Sequence, residues 1–378
     1  MARRWLGRQL VLADEPAAVE VERGRDAWPV YFGDLHNHTG YSDGHGRPEQ
    51  ALAQMRTRGL DFAAITDHAE LLAVPYAVRE GASPEQVARS EPPPPGRTAW
   101  EDLAAQAAAA TAPEFLALRG FEFSSTVQGH VSVWGSADFV DADRLGHEQL
   151  APLWRWLAAA TPAADAVLAG LNHPGAQPGV FENLCYRPEL EPRLVTLELF
   201  NRATDYFPQY LRALEQGWHL GAIGVSDHHG RDWGNAALAV CGLLARTLTW
   251  EGVSEALQAR RVYATRERGL ALAYTADGAW LGSRLAPPAG RAVTLEIAIE
   301  AAPGGSALQR LQVWAGPADG PGQVPTAPLA VHDLGGARQA TWALEVVPPP
   351  GRESWYLVRV LAHDRALAYS TPIWACPT

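Results

Sequence analysis

Between Val30 and Arg260 the chain repeats one alternation, an apolar run of strand length followed by a segment of helix composition. The apolar runs are VYFGDL, FAAIT, EFLALRGFEF, AVLAGL, LVTLELF and LGAIGV. Among the intervening segments are PEQALAQMRTRG, WEDLAAQAAAAT, LWRWLAAA and YLRALEQG, two of which carry Gly where a helix stop is expected. This alternation predicts an α/β domain with parallel strands. After Val262 the texture changes. The runs AVTLEIAIE, LQRLQVWAG, ATWALEVV and WYLVRVLAH are separated by PPAG, GPADGPG and PPPG, the pattern of antiparallel strands in a β-sandwich. The reading divides the chain into an N-terminal extension (1–29), an α/β domain (30–262) and a smaller all-β, sandwich-like domain (263–378). A length of 378 residues fits two or three domains.

Composition removes several kinds of chemistry. Every one of the 31 basic residues is Arg, so Schiff-base lysines, pyridoxal-phosphate anchors and P-loop lysines are excluded. A net charge of -11 argues against a basic stripe for nucleic acid or a membrane surface, and no nucleic-acid or membrane partner is expected. Cys185, Cys241 and Cys376 are far apart and odd in number, giving neither a disulfide framework nor a CxxC knuckle. The start, MARRWLGRQLVLADEP, has too short an apolar stretch for a signal peptide, and no run of about 18 apolar residues occurs. A cytoplasmic protein is the expectation.

Histidine placement is the sharpest clue. Ten of the twelve His precede residue 230, and most directly follow an apolar run. The first run ends Asp34-Leu35-His36-Asn37-His38-Thr39, then Ser42-Asp43-Gly44. In an extended segment His36 and His38 project to the same side, a ready two-ligand clamp for a metal. The second run ends Thr66-Asp67-His68, and the third holds Glu122 before Gly129-His130. Later runs end Asn172-His173-Pro174 and Ser226-Asp227-His228-His229. Strand ends that each deliver His, Asp or Glu converge on one face of a (β/α) barrel.

These residues, in this order over roughly residues 30–260, resemble the PHP family, the polymerase and histidinol phosphatase metallohydrolases. The resemblance implies a distorted (β/α)7 barrel holding two or three divalent metal ions. It assigns His36, His38, Glu122 and Asp227 to a first metal. Glu122 would bridge to a second, completed by His130 and His173, and Asp43, His68 and His229 would hold a third. Some members carry His where this chain has Asp43, and His45 competes for that role. The phrases GDLHNHT, GHVSVWG, NHPG and SDHHG, with a trailing β-domain ending STPIW, look similar to the carbaryl-hydrolase-like branch of these enzymes. That branch includes carboxyl- and carbamate-ester hydrolysis beside phosphoester cleavage.

The donor chemistry points the same way. Mixed His and carboxylate ligands suit Zn²⁺, Mn²⁺ or Fe²⁺ in an open site. A metal-bridging hydroxide would be the nucleophile, because a bound metal brings the pKa of water from about 15.7 towards about 7. Glu122, Asp227 and His228 are the catalytic candidates, His228 as substrate contact or general acid. Arg202 and Arg231 lie near strand ends and are candidates for an anionic substrate. Asp34 and Asp67 are read as orienting neighbouring His residues. Trp233 is a candidate substrate wall, while His147, His219, His332 and His363 fit no motif. The expected activity is hydrolysis of a small anionic phosphoester. Carboxyl-ester or carbamate hydrolysis at the same centre and an inert metal-binding scaffold are the alternatives.

Overall fold

The computed structural model describes residues 28–141, 148–159, 167–175, 178–235, 237–317 and 323–378. The N-terminal extension up to residue 27 and His147 lie outside the described residues. The first part of the chain contains β1 (Val30–Asp34), β2 (Phe62–Ile65), β3 (Leu116–Ser125), β4 (Gly129–Trp134), β5 (Leu168–Asn172) and β6 (Leu194–Asn201). It continues with β7 (Thr204–Asp205), β8 (Gly221–Val225), β9 (Val240–Leu244) and β10 (Val262–Thr265). The helix-like segments form helices at Pro48–Thr57, Ala99–Ala110, Ala151–Ala159 and Phe207–Glu215. The helix at Ala99–Ala110 starts on a capping box, Thr98 with Glu101, which satisfies amides that its first turn would leave unpaired.

The strands run β10-β9-β1-β2-β3-β4-β5-β6, with β8 paired to β6. Their pairing corrects the expectation of an all-parallel sheet. β1-β2-β3 and β5-β6-β8 are parallel, but β3-β4-β5 and β1-β9-β10 are antiparallel. The physical reason is local: β3 and β4 are joined by a three-residue turn, too short for the crossover that parallel neighbours need. The sheet curls around an inner core fed by Tyr31, Phe62, Leu118, Trp134, Val195, Ile223 and Cys241. Val30, Phe32, Ala63 and Ile65 point the other way, into the larger core beneath the helices. No ladder among the described residues joins β8 to β9 or β10, so hydrogen bonds do not close the curl into a barrel.

The rest of the chain is β-rich. It holds β11 (Ala271–Ala276), β12 (Ala279–Trp280), β13 (Arg284–Leu285), β14 (Val293–Glu300) and β15 (Leu308–Gly316). β16 (Ala330–Ala337), β17 (Gln339–Val346), β18 (Ser354–Ala362), β19 (Arg365–Ser370) and β20 (Ile373–Ala375) follow. One group extends the first sheet, because β10 pairs with β9 on one side and β19 on the other. The second group forms a separate sheet, β12-β11-β14-β17. The Tyr274 hydroxyl of β11 donates to the Tyr356 carbonyl of β18 at 3.1 Å, linking the two sheets.

The strand that leads into His36 is tightly fitted. A Cβ at Gly33 would lie 2.3 Å from the Phe62 ring, which is fully buried on the neighbouring strand. Gly33→Ala is therefore expected to destabilise the chain by about 1–3 kcal/mol, the usual cost of overpacking a core. A denaturant melt would detect this, and an unchanged midpoint would mean that Phe62 can yield.

Candidate metal centre

The curl brings the carboxyl ends of several strands to one side. His36 and His38 leave β1 in an extended segment that is tied to the β8 end, with the His38 amide donating to the His228 carbonyl at 2.9 Å. His68 follows β2 and bridges to Glu122, which lies within β3, while His130 is the second residue of β4. His173 directly follows β5, and Asp227 and His229 follow β8. Two of these residues have left-handed backbones, His173 at φ 29° and Asp227 at φ 46°. Such conformations cost a non-glycine residue about 1–3 kcal/mol and concentrate where side chains must be aimed.

All nine candidate ligands meet. His36 Nε2 lies 3.0 Å from His38 Nε2, 3.3 Å from Glu122 Oε1 and 3.6 Å from Asp227 Oδ1. His38 Nε2 lies 3.4 Å from Asp227 Oδ1 and 3.5 Å from Glu122 Oε2. Glu122 is the hub: His68 Nδ1, His130 Nδ1 and His173 Nε2 stand 3.0, 3.2 and 3.4 Å from its oxygens. Asp43 joins the far side, 3.4 Å from His68 Nε2 and 3.3 Å from His229 Nε2. The donors fall into three groups compact enough to hold an ion: His36-His38-Glu122, His68-Glu122-His130 and His38-Asp43-His68-His229. His38 and His68 each belong to two groups. Asp43, rather than His45, is the member from its loop.

The arrangement fits divalent cations. Two buried ring nitrogens face each other at 3.0 Å in His36 and His38, an arrangement with room for at most one proton between them. Burial pushes the Glu122 carboxyl up, but the surrounding His36, His130 and His68 rings overturn that and hold it well below the ordinary carboxylate range. Asp43 and Asp227 are also lowered, against burial, by hydrogen bonds and charge from neighbouring imidazoles. In return, and again against burial, Glu122, Glu198 and Asp227 raise His36 well above its usual value. Glu122 and Asp43 raise His68 to about 10. His38 goes the other way, lowered by burial and by the neighbouring His229. The charge that the raised imidazoles set against these carboxylates is charge that a bound cation would supply.

Several supporting residues escaped the sequence reading. Glu198 is buried in β6, 2.6 Å from His36 Nδ1, and also accepts the His173 amide at 2.7 Å. Asn172 donates to Glu122 Oε1 at 2.6 Å and to the Ser132 hydroxyl at 2.9 Å. Asn201 donates to Glu198 at 2.8 Å and to Asp227 Oδ2 at 3.3 Å. The available signal for Glu198 was a lone carboxylate inside the apolar run LVTLELF.

Asp34 braces backbone, while Asp67 holds backbone and hydroxyls, including the Ser42 hydroxyl that lies 3.3 Å from His38 Nδ1. Asp34 accepts the amides of His36 and Ser226 at 3.3 and 3.1 Å, and Asp67 accepts the Thr39 amide and hydroxyl at 2.7 and 2.6 Å. Trp233 is almost fully buried, and its indole donates to the His38 carbonyl at 3.0 Å, which makes it a prop behind the clamp. The His228 ring is turned towards Asp232, with Nε2 2.7 Å from its carboxylate. Arg202 reaches Asp227 Oδ2 at 3.3 Å and His229 Nδ1 at 2.8 Å. Arg231 is exposed and pairs with Glu91 at 3.1 Å.

Residues 34–128 match the PHP domain model. That span contains His36, His38, Asp43, His68 and Glu122. No curated protein matches the sequence. Among solved structures the chain resembles a two-domain protein from Bacteroides vulgatus, predicted to contain a PHP-like metal-dependent phosphoesterase. The two are 18% identical, with 92% of this chain and 96% of that one covered at a TM-score of 0.49. A protein from Bifidobacterium adolescentis, predicted to be a metal-dependent phosphoesterase, is 18% identical over 60% of this chain and 95% of its own, with a TM-score of 0.33. A lesion-specific endonuclease from Pyrococcus furiosus is 14% identical over 61% of this chain and 56% of its own, with a TM-score of 0.32.

Two predictions follow from the electrostatics. Glu198→Gln leaves His36 with a neutral partner, and metal affinity is expected to fall about 10- to 100-fold, as when other outer partners of metal ligands are lost. Metal titration with the fold monitored by circular dichroism would read it. Separately, the surrounding carboxylates raise His36 well above its usual value and His68 to about 10, so a cation bound there must displace protons from these rings. Metal uptake should therefore release protons, and affinity should decline as pH falls. Calorimetry at pH 7 in two buffers of different ionisation enthalpy measures the release, and equal apparent enthalpies would contradict it.

Proposed function

We propose that the protein is a metal-dependent hydrolase that cleaves a small phosphoester, with His36, His38, Asp43, His68, Glu122, His130, His173, Asp227 and His229 holding two or three divalent ions. The observation that carries this reading is the convergence on the buried Glu122 carboxylate of imidazoles from four separate strand ends, at 3.0–3.4 Å. Divalent ions bound there would supply an activated water at neutral pH and counter-charge for substrate oxygens.

The chain's own residues have separable tasks in this reading. Glu198 and Asn172 fix the orientation of His36 and Glu122. Asp227, aimed by its left-handed backbone, faces both His36 and His38. His228, paired with Asp232, is the candidate proton donor to the leaving group. The exposed guanidiniums of Arg202 and Arg231 are placed to attract an anion.

One observation favours the second reading, carboxyl-ester or carbamate hydrolysis. Both arginines already have carboxylate partners, Arg202 with Asp227 and Arg231 with Glu91, which reduces their pull on a phosphate. A neutral ester needs no such pull.

The deciding experiment combines metal analysis with turnover of p-nitrophenyl phosphate, p-nitrophenyl acetate and a DNA oligonucleotide, with added Mn²⁺ or Zn²⁺. Phosphatase activity that disappears in Glu122→Ala together with bound metal supports the phosphoesterase. Esterase activity alone selects the second reading, and cleavage of the oligonucleotide alone would replace both with a nuclease. Bound metal without turnover would leave the scaffold, and no bound metal would remove the centre itself. Should His228 be the proton donor, His228→Asn lowers kcat more for phenyl phosphate than for p-nitrophenyl phosphate, whose better leaving group needs less protonation. Equal losses on the two substrates would release His228 from that role.

A further inference from the structure

The β-rich C-terminal part has no ligand candidate in the metal centre, yet one of its arginines grips the turn that supports Asp227. Arg266 directly follows β10, and its amide donates to the Leu367 carbonyl of β19 at 2.8 Å. Its guanidinium donates to three consecutive backbone carbonyls, Arg202 at 3.1 Å, Ala203 at 2.9 Å and Thr204 at 3.1 Å. The same guanidinium stacks 4.1 Å from the Phe200 ring, so its position is fixed from two directions.

The gripped segment is the turn between β6 and β7, in which Asn201 pairs with Thr204 and Phe200 with Asp205. Arg202 sits in it with a left-handed φ of 52°. A second hold comes from β19: the Tyr369 hydroxyl donates to Asp205 Oδ2 at 2.9 Å, and the Tyr369 ring stacks on Phe207 at 4.8 Å. From the other side of the turn, Asn201 bonds Glu198 and Asp227, while Arg202 donates to the Asp227 carbonyl at 2.7 and 3.0 Å.

We infer that Arg266 is a positioning residue for the metal centre, and that the C-terminal strands act on the site by clamping the 201–205 turn. The guanidinium of Arg266 contacts the turn carbonyls and the Phe200 ring, and none of these belongs to a metal-ligand candidate. It acts through the turn, whose Asn201 and Arg202 set the Asp227 carboxylate against His36 and His38. The inference rests on the metal-centre reading and is independent of which ester is cleaved.

The test is Zn²⁺ binding to the full chain, measured by calorimetry with thermal melting in parallel. Arg266→Ala is expected to weaken binding about tenfold, at the lower end of what losing an outer partner costs, while the melting temperature changes little. Arg266→Lys, which keeps the charge but not the flat stack on Phe200, should recover part of that loss. Wild-type affinity in Arg266→Ala, or a loss matched by the fall in folded fraction, would overturn the inference. Should Arg266→Ala fail to fold, Tyr369→Phe decides, because it removes one hydrogen bond and keeps the ring. A loss of about twofold or more supports the clamp, and unchanged affinity overturns it. Because Zn²⁺ binding is read apart from turnover, a wild type that binds metal but cleaves no ester refutes the hydrolase alone.

Discussion

The centre is organised by the problem of burying Glu122. A carboxylate that is almost wholly shielded from water is costly unless cations or donors surround it. Here every neighbour answers that demand: the His36, His68, His130 and His173 rings face its oxygens, and the Asn172 amide bonds one of them. The cost is shared, because the rings come from different strands, and two of them have a further partner. Glu198 stands behind His36, and the Ser124 hydroxyl lies 2.6 Å from His68 Nδ1. Removing any one contributor leaves a buried charge short of a partner, so the strand ends are tied together electrostatically as well as by the sheet.

How far this could be read in advance differs between levels. Strand and helix positions were legible, since VYFGDL, FAAIT and LGAIGV fall on β1, β2 and β8 and the four helix-like segments became helices. The relative directions of the strands were not. Apolar runs do not encode whether a neighbour is parallel, and the antiparallel β3-β4 pair depends on a short turn ending at Gly129, with φ 100°. Most of the candidate ligands stood out because a His or carboxylate that follows an apolar run is unexpected on packing grounds, although Glu122 lies within β3 and His130 near the start of β4. Glu198 and Asn201 were harder. One lies inside a strand and the other at its end, and only the folded contacts reveal that they face the cluster.

The arginines show a different limit. Sequence proximity to strand ends singled out Arg202 as an anion binder, but it could not foresee that the guanidinium would be directed at Asp227 and His229. Nor did anything in the motif region point to Arg266, which lies beyond the predicted domain boundary at 262 and works through backbone carbonyls. Carbonyl acceptors carry no side-chain signature, so contacts of this kind are invisible to motif reading. Trp233 illustrates the converse: its place beside SDHHG suggested a substrate wall, whereas its indole is consumed in holding the His38 carbonyl.

The continuity of the sheet gives the C-terminal strands a mechanical route to the site. β10 hydrogen-bonds to β9 and to β19 at once, with Tyr263, Ala264 and Thr265 in both ladders. Arg266 is the next residue, so its backbone position is set by that double pairing before its side chain reaches the 201–205 turn. A tethered domain joined by a flexible linker could not impose such a restraint, because the linker would absorb any displacement. A strand shared between two ladders passes a shift in β19 on to Arg266. From there it reaches the turn carbonyls, Asn201 and Arg202, and the Asp227 carboxylate.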